Sequence, residues 1–176
     1  ISEDVGWAVG TAGTILKTND GGASWHSKTS GTKTELTDVC FINANKGWVI
    51  GADGTILITT NGGTNWTPQI SGVSSYLQSV SFADSNHGTA VGRYGIILRT
   101  TNGGYNWYQV INNQYISLFD VIDSNTIYGA GAFANGQKQI IRSYNRGFSW
   151  DSIAVNVLPQ IFGISFVNHD TGWIGG

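Results

Sequence analysis

Side chains able to do chemistry are few in this 176-residue sequence, which carries 9 Lys+Arg, 11 Asp+Glu, 3 His and one Cys. Cleaving a glycosidic bond takes two carboxylates about 5–9.5 Å apart, one as acid and one as base or nucleophile. The only glutamates are Glu3 and Glu35. Asp38 and Asp53 are the best aspartate candidates, but Asp53 stands in a turn sequence and the repeat matches Asp38 with Ser79. His26, His87 and His169 lie 61 and 82 residues apart with no cysteine or carboxylate cluster beside them, which is not zinc-ligand spacing. Neither a Gly-x-Ser-x-Gly elbow nor a phosphate-binding loop occurs. Cys40, being alone, makes no internal disulfide and leaves the redox compartment open. No catalytic residue, metal or cofactor is therefore assigned. Binding chemistry has a better claim: Arg93 stands beside Tyr94, and arginine with aromatics is the usual composition of an interaction hot spot.

Those residues are positioned by an internal repeat. Tryptophans recur at Trp25, Trp66, Trp107 and Trp150, with spacings of 41, 41 and 43. Seven residues upstream of each come Thr18, Thr59, Thr100 and Ser143; five upstream, Asp20, Asn61, Asn102 and Asn145; three upstream, Gly22, Gly63, Gly104 and Gly147. Eleven downstream are Leu36, Leu77, Leu118 and Ile161, and fourteen downstream Val39, Val80, Val121 and Ile164. Position sixteen is Phe41, Phe82 and Phe166 in three copies and Asp123 in the other. Lys17, Arg99 and Arg142 share the position eight before the Trp, which reads as a solvated strand face.

Each copy is written in strands. Leu36 to Phe41 and Leu77 to Phe82 are short runs of β-branched and aromatic residues. Gly47 to Gly51 and Thr89 to Gly92 follow as second strands, and Thr55 to Thr59 and Ile96 to Thr100 as third strands, with a fourth starting near the Trp. Asp53-Gly54, Asn61-Gly62 and Asn102-Gly103 between them predict type I′ turns, with φ positive at both central residues. No window holds a helical period over three turns. Four short antiparallel strands per ~41 residues are the pattern of a β-propeller blade, in which neighbouring blades bury one another's faces. A β-helix or sandwich is the rival; β-helix coils are shorter and sandwiches rarely repeat in sequence. The expectation is thus one all-β propeller domain or segment over 1–176, with repeats near 1–30 (partial), 36–71, 77–111, 118–155 and 161–176 (partial). Four repeats plus an extra strand fit a piece of a ring of five to eight blades better than a closed four-bladed ring.

The segments Thr18-Asn19-Asp20-Gly21-Gly22-Ala23-Ser24-Trp25 and Thr59-Thr60-Asn61-Gly62-Gly63-Thr64-Asn65-Trp66, with their later copies, resemble the Asp-box or BNR repeat, Ser/Thr-x-Asp-x-Gly-x-x-Trp. The wider unit, with Gly-Trp-x-Val-Gly and Gly-Thr-Ile-Leu, is similar to the photosystem II assembly and stability factor type of propeller, and to secreted bacterial multi-repeat proteins. Asp-boxes also occur in sialidases, xyloglucan-degrading enzymes and sorting receptors, so the resemblance implies architecture before activity. In it Asp20, Gly22, Trp25, Asn61, Gly63, Trp66, Asn102, Gly104, Trp107, Asn145, Gly147 and Trp150 are structural. The Asx side chain accepts turn N–H groups, and the Trp caps the blade core. Asn in three of four boxes argues against metal binding. A sialidase-like site would need an arginine cluster, a Tyr–Glu pair and an acid/base Asp, which Arg93, Arg99, Arg142 and Arg146 with two glutamates do not supply.

Composition narrows the partner. Charged residues are 11% of the chain against ~25% in typical soluble domains. A net charge of −2 removes the electrostatic footprint of a nucleic-acid binder. No apolar run approaches the ~18–20 residues of a membrane-spanning helix. Few charges with abundant Asn, Thr, Ser and Gly fit an extracytoplasmic (periplasmic, secreted or lumenal) protein. The repeat varies most at the strand 2–3 turns and strand 4–1 links, which share the face opposite the boxes. Arg93-Tyr94 replaces the Ala12 and Asp53 type of turn, and the fourth copy inserts about four residues around Phe133. Tyr76 and Tyr115 precede strand one, where the first copy has Glu35. Arg93, Tyr94, Phe133, Tyr76 and Tyr115 are thus the expected partner surface of a non-catalytic interaction or scaffold module serving a membrane-associated or secreted assembly. The alternative is a fragment of an Asp-box glycoside hydrolase whose catalytic residues lie outside this stretch.

Overall fold

The computed structural model describes residues 3–110, 114–122, 125–133, 138–145, 147–153, 161 and 163–175. Among them every strand belongs to one of five antiparallel sheets, and there is no α-helix. The first sheet holds β1 (Gly6–Val9), β2 (Ile15–Thr18) and β3 (His26–Lys28). The second runs β4 (Leu36–Phe41), β5 (Gly47–Gly51), β6 (Ile56–Thr59) and β7 (Thr67–Gln69). The third runs β8 (Leu77–Phe82), β9 (Gly88–Gly92), β10 (Ile96–Thr100) and β11 (Tyr108–Val110). The fourth runs β12 (Gln114–Val121), β13 (Ile127–Phe133), β14 (Lys138–Ser143) and β15 (Asp151–Ile153), and the fifth pairs β16 (Gly163–Phe166) with β17 (Gly172–Gly175). The first strands of successive sheets pack together, β4 on β8, β8 on β12 and β12 on β16. This is a run of β-propeller blades.

Burial follows from that arrangement. A middle strand is covered on both faces by neighbouring sheets, so β5 and β9 are buried at every residue. The outermost strands β7 and β11 are exposed at two of their three. Leu36, Ile56, Leu57, Leu77, Val80, Ile97 and Leu98 are all buried, which is why the strand runs are apolar on both faces.

Aromatic stacks join the sheets. Trp7 of β1 stacks on Phe41 with ring centroids 4.4 Å apart, Trp48 of β5 on Phe82 at 3.4 Å, and Tyr128 of β13 on Phe166 at 3.9 Å. Trp66 meets Trp7 and Phe41 edge-on, and Trp107 meets Phe82 in the same way. The glycine before Trp48 belongs to such a joint: a Cβ on Gly47 would lie 2.6 Å from the Phe41 ring.

The fourth sheet departs from the spacing measured by tryptophans. Leu36 pairs with Gly51 and Leu77 with Gly92, each followed by a bulge; in β12 the residue so placed is Ile116, paired with Gly131, and not Leu118. Val121, which pairs with Ile127 as Phe41 does with Gly47, takes the phenylalanine place expected of Asp123. Asp123 itself lies outside the described residues. The third-to-fourth joint therefore has Thr89 where β5 has Trp48, and Val121 where β8 has Phe82, so the repeated ring stack is replaced there. Arg99 packs across the gap: its guanidinium lies 4.0 Å from the Phe148 ring and the residue is only 6% exposed. The solvated-face reading of Arg99 is thus corrected. Packing on an aromatic ring, with the long stem buried, lets a cation sit in a joint.

Polar clasps supplement the stacks. Asp38 Oδ2 accepts from Ser79 Oγ at 2.9 Å and from Val80 N at 2.8 Å, while its Oδ1 accepts from Val39 N at 2.8 Å. The residue that the repeat matches to Asp38 is therefore its own donor, one blade away. Burial pushes the Asp38 carboxyl above its usual range, against the lowering effect of those three donors. Cys40 is half-buried, with its thiol raised to about 11 chiefly by burial. A carboxyl whose pKa is raised on folding stabilises most below its unfolded value, near ~3.9, and loses that contribution as pH rises through the folded value. The stability of the wild type over Asp38→Ser, the third copy's residue, is expected to be larger in urea melts at pH 4 than at pH 7. A difference that grows with pH would contradict this.

Candidate partner-binding face

Three strand 2–3 turns share one conformation, Thr11–Gly13, Ala52–Gly54 and Arg93–Gly95. Each holds a non-glycine residue in the left-handed region: Ala12 at φ 54°, Asp53 at 55° and Tyr94 at 64°. With Gly54 at 67°, the Asp53-Gly54 turn has the two positive φ values expected of it. At the boxes the expectation shifts by one residue, because the positive pair is Gly62-Gly63 or Gly103-Gly104 and does not include the asparagine.

The turns are tied to the strand 4–1 links. Ala52 N donates to Glu35 O at 2.9 Å, Arg93 N to Tyr76 O at 2.9 Å, and Gly54 N to Ser75 O at 2.8 Å. The second of these bonds brings two of the expected residues together, with the Arg93 guanidinium 4.4 Å from the Tyr76 ring. Tyr76 is raised first by desolvation and then by the charge of Glu35 from the preceding link, with Arg93 pulling the other way. Tyr94 projects beside the cluster and is 80% exposed. A bulky aromatic in the left-handed region costs about 1 kcal/mol or more, and such a conformation tends to mark functional loops.

Tyr115 enters β12 at the register of Tyr76 and Glu35, one residue before the strand's first bulge partner. Its side chain, like that of Phe133, lies outside the described residues. Sequence reading had Glu35 only as a replacement for tyrosine, and missed that its charge acts on the next blade's tyrosine. It also missed an open groove of about 770 Å³ at the preceding joint, lined by Thr32, Asp53, Trp66, Ile70 and Ser71 among others. The sign of the former was the matched position of Glu35 and Tyr76; the groove had none, since its lining comes from two links, a turn and two strands that are far apart in the sequence.

The four boxes at the opposite end are occupied by their own hydrogen bonds. Thr18 Oγ1 donates to Asp20 Oδ1 at 2.6 Å and accepts from Gly22 N at 2.9 Å, and Asp20 Oδ1 accepts from Ser24 N at 2.9 Å. Asn61, Asn102 and Asn145 repeat this geometry. Asp20 is pulled down to about 2, first by the Ser24 hydroxyl and then by Thr18. Trp66 and Trp107 cap the core at 9% and 8% exposure, but Trp25 is 43% exposed. Trp107 Nε1 donates to Gln69 Oε1 at 3.2 Å, whereas Trp66 Nε1 has no partner, because Lys28 stands where Gln69 would be. Among the described residues no three His, Cys, Asp or Glu side chains are placed to hold a metal, and no helix is long and apolar enough to cross a membrane.

A family model described as photosynthesis system II assembly factor YCF48 matches residues 29–118. Among solved structures, YCF48 from Cyanidioschyzon merolae superposes with a TM-score of 0.71 at 23% identity, over 94% of this chain and 57% of that one. A structure of YCF48 bound to D1 peptide gives 0.57 at 17% identity, over 98% and 87%. The GH74 enzyme of Niastella koreensis gives 0.64 at 22% identity, over 86% and 24%. These likenesses are of fold, and the chain spans little over half of the Cyanidioschyzon protein. No curated protein matches the chain.

Proposed function

The chain belongs to the photosynthesis system II assembly factor YCF48 family, and on that premise we propose that it is a non-catalytic interaction module holding a peptide segment of a protein partner. The observation that carries this reading is the Glu35–Tyr76–Arg93 cluster beside exposed Tyr94, at the one turn of the three that presents an aromatic. Arg93 keeps one guanidinium face on Tyr76, which orients its N–H edge for a planar acceptor. Tyr94 supplies rigid apolar area with few rotamers to order. Tyr115 and Phe133 extend the same rim around the fourth blade by register. The partner belongs to a membrane-associated or secreted assembly, and the module works outside the cytoplasm. A structure of YCF48 carries a D1 peptide, which supports a peptide as the ligand class and supplies a probe.

Titration of a fluorescent D1 peptide into the full-length protein tests this. Binding should weaken at least tenfold in Arg93→Ala and in Tyr94→Ala, while Tyr94→Asp, the second copy's residue, keeps the fold and loses the ring. Absence of binding to the wild type, or equal affinity in all variants, would overturn the proposal. The GH74 likeness of fold keeps a hydrolase fragment as the rival. Release of reducing sugar from xyloglucan by the full-length protein would replace the present reading.

A further inference from the structure

The groove of about 770 Å³ between the strand 4–1 links of the first two blades has the size of a ligand pocket and takes no part in the cluster at Arg93. Pro68, Ile70 and Val73 give it an apolar wall. Ile70 is 87% exposed, and the first copy has Thr29 at the matched place. The one charged residue of the lining is Asp53. It is exposed and makes no ion pair among the described residues, where the salt bridge is that of His87 with Asp84. Lys28 and Lys33 are the nearest cations along the first link, and neither lines the groove. Ala12 and Tyr94 hold the same left-handed conformation in the sister turns, so the turn itself does not require a carboxylate.

Other polar side chains of the lining are engaged within the fold. Ser30 Oγ donates to Thr32 O and Ser71 Oγ to Val73 O, each at 3.1 Å. Gln69 donates to Gly103 O at 3.1 Å and accepts from Trp107 Nε1 at 3.2 Å. Trp66 is only 9% exposed, so it offers little ring face. A neutral glycan, which wants an open ring face and free hydroxyl partners, is poorly served. An apolar wall with a carboxylate instead matches a side chain whose apolar stem ends in a cation. Arginine fits better than lysine, because two parallel N–H groups meet a carboxylate and its planar head is weakly hydrated. The second link carries the groove towards Arg93: Ser71 to Ser74 line it, Ser75 O then accepts from Gly54 N at 2.8 Å, and Tyr76 O from Arg93 N at 2.9 Å.

We infer that this groove is a subsite for an arginine side chain of a polypeptide partner, with the stem on Ile70 and Pro68 and the guanidinium on Asp53. That the occupant is a polypeptide rests on the function proposed above; its positive charge and apolar stem rest on the groove alone. A chain lying along the second link meets Asp53 at one end and Arg93 at the other.

The test titrates the full-length protein with Gly-Leu-Arg-Leu-Gly, fluorescein at its amino end and an amide at the other, against the same peptide carrying citrulline, the neutral isostere of arginine. The arginine peptide should bind at least threefold more tightly. That preference should vanish in Asp53→Asn, which keeps a residue suited to the left-handed turn and should leave the urea midpoint unchanged. Ile70→Thr, the first copy's residue, should weaken both peptides and keep their ratio, and Arg93→Ala should keep the ratio too. No binding, equal binding of the two peptides, a preference that survives Asp53→Asn, one lost in Arg93→Ala, or full affinity in Ile70→Thr would each overturn the inference. Displacement of the arginine peptide by cellotetraose would overturn it in favour of a glycan. A failed D1 titration beside an intact arginine preference would sink the function proposed above and uphold this subsite, so the two failures are distinguishable.

Discussion

Replacing Trp48 with alanine is expected to cost about 3–5 kcal/mol of folding stability. The side chain is fully buried, its ring lies 3.4 Å from Phe82 between centroids, and its Nε1 donates to Gly103 O at 3.2 Å. It touches two blades, so the cavity opens inside a joint where backbone has little freedom to collapse. For a domain of this size the loss amounts to a fall in melting temperature of roughly 6–20 °C. Trp48→Phe keeps a ring on Phe82 but abandons the bond to Gly103, and should lose about 1–2 kcal/mol. Urea unfolding followed by far-ultraviolet circular dichroism measures both. A loss under about 1 kcal/mol for alanine would mean that the stacks do not hold the blades together.

Thr100→Val should cost about 2–4 kcal/mol, whereas Thr100→Ser should change stability by less than about 0.5 kcal/mol. The Thr100 hydroxyl is the hub of its box: it accepts from Gly104 N at 2.8 Å and Asn102 N at 3.3 Å, and donates to Asn102 Oδ1 at 3.0 Å. The residue is 1% exposed, so valine of the same shape leaves the Gly104 N–H without an acceptor away from water. Serine performs the same duty at Ser143, whose hydroxyl accepts from Gly147 N at 2.7 Å. Amide exchange checks the mechanism: the Gly104 amide should lose protection in the valine variant and keep it in the serine one. A larger loss for serine than for valine would show that the methyl group, and not the hydroxyl, matters at this position.

That hub shows how legibility in the sequence depended on periodicity. Strand order, box positions and buried apolar runs are all written at fixed offsets from the tryptophans, so they could be read directly. The Thr or Ser seven before each Trp was visible as a matched position, yet its part as double acceptor needed the turn to close. The fourth blade was misread by two residues because the offset of eleven after the tryptophan was carried over to Trp107, where the link is two residues shorter. An insertion of four near Phe133 leaves two to be lost elsewhere, and the register at Ile116 shows that they are lost before β12. Arg99 was misread for a different reason. A shared repeat position says which face a side chain occupies, but Thr89 in place of tryptophan opened room for it in the joint. On the rim, Tyr76 and Arg93 were found by type, and the bond from Arg93 N to Tyr76 O that joins them is a backbone contact invisible to composition. The groove beside Asp53 arises from link geometry and carried no residue signature.

The proposed role comes down to which end of the blades receives the partner peptide. Amide chemical-shift mapping of the full-length protein with unlabelled D1 peptide answers that directly. Shifts concentrated at Glu35, Tyr76 and Arg93–Gly95 are the predicted result. Shifts confined to the Asp-box turns around Gly104 and Gly147, or none at saturating peptide, would contradict it.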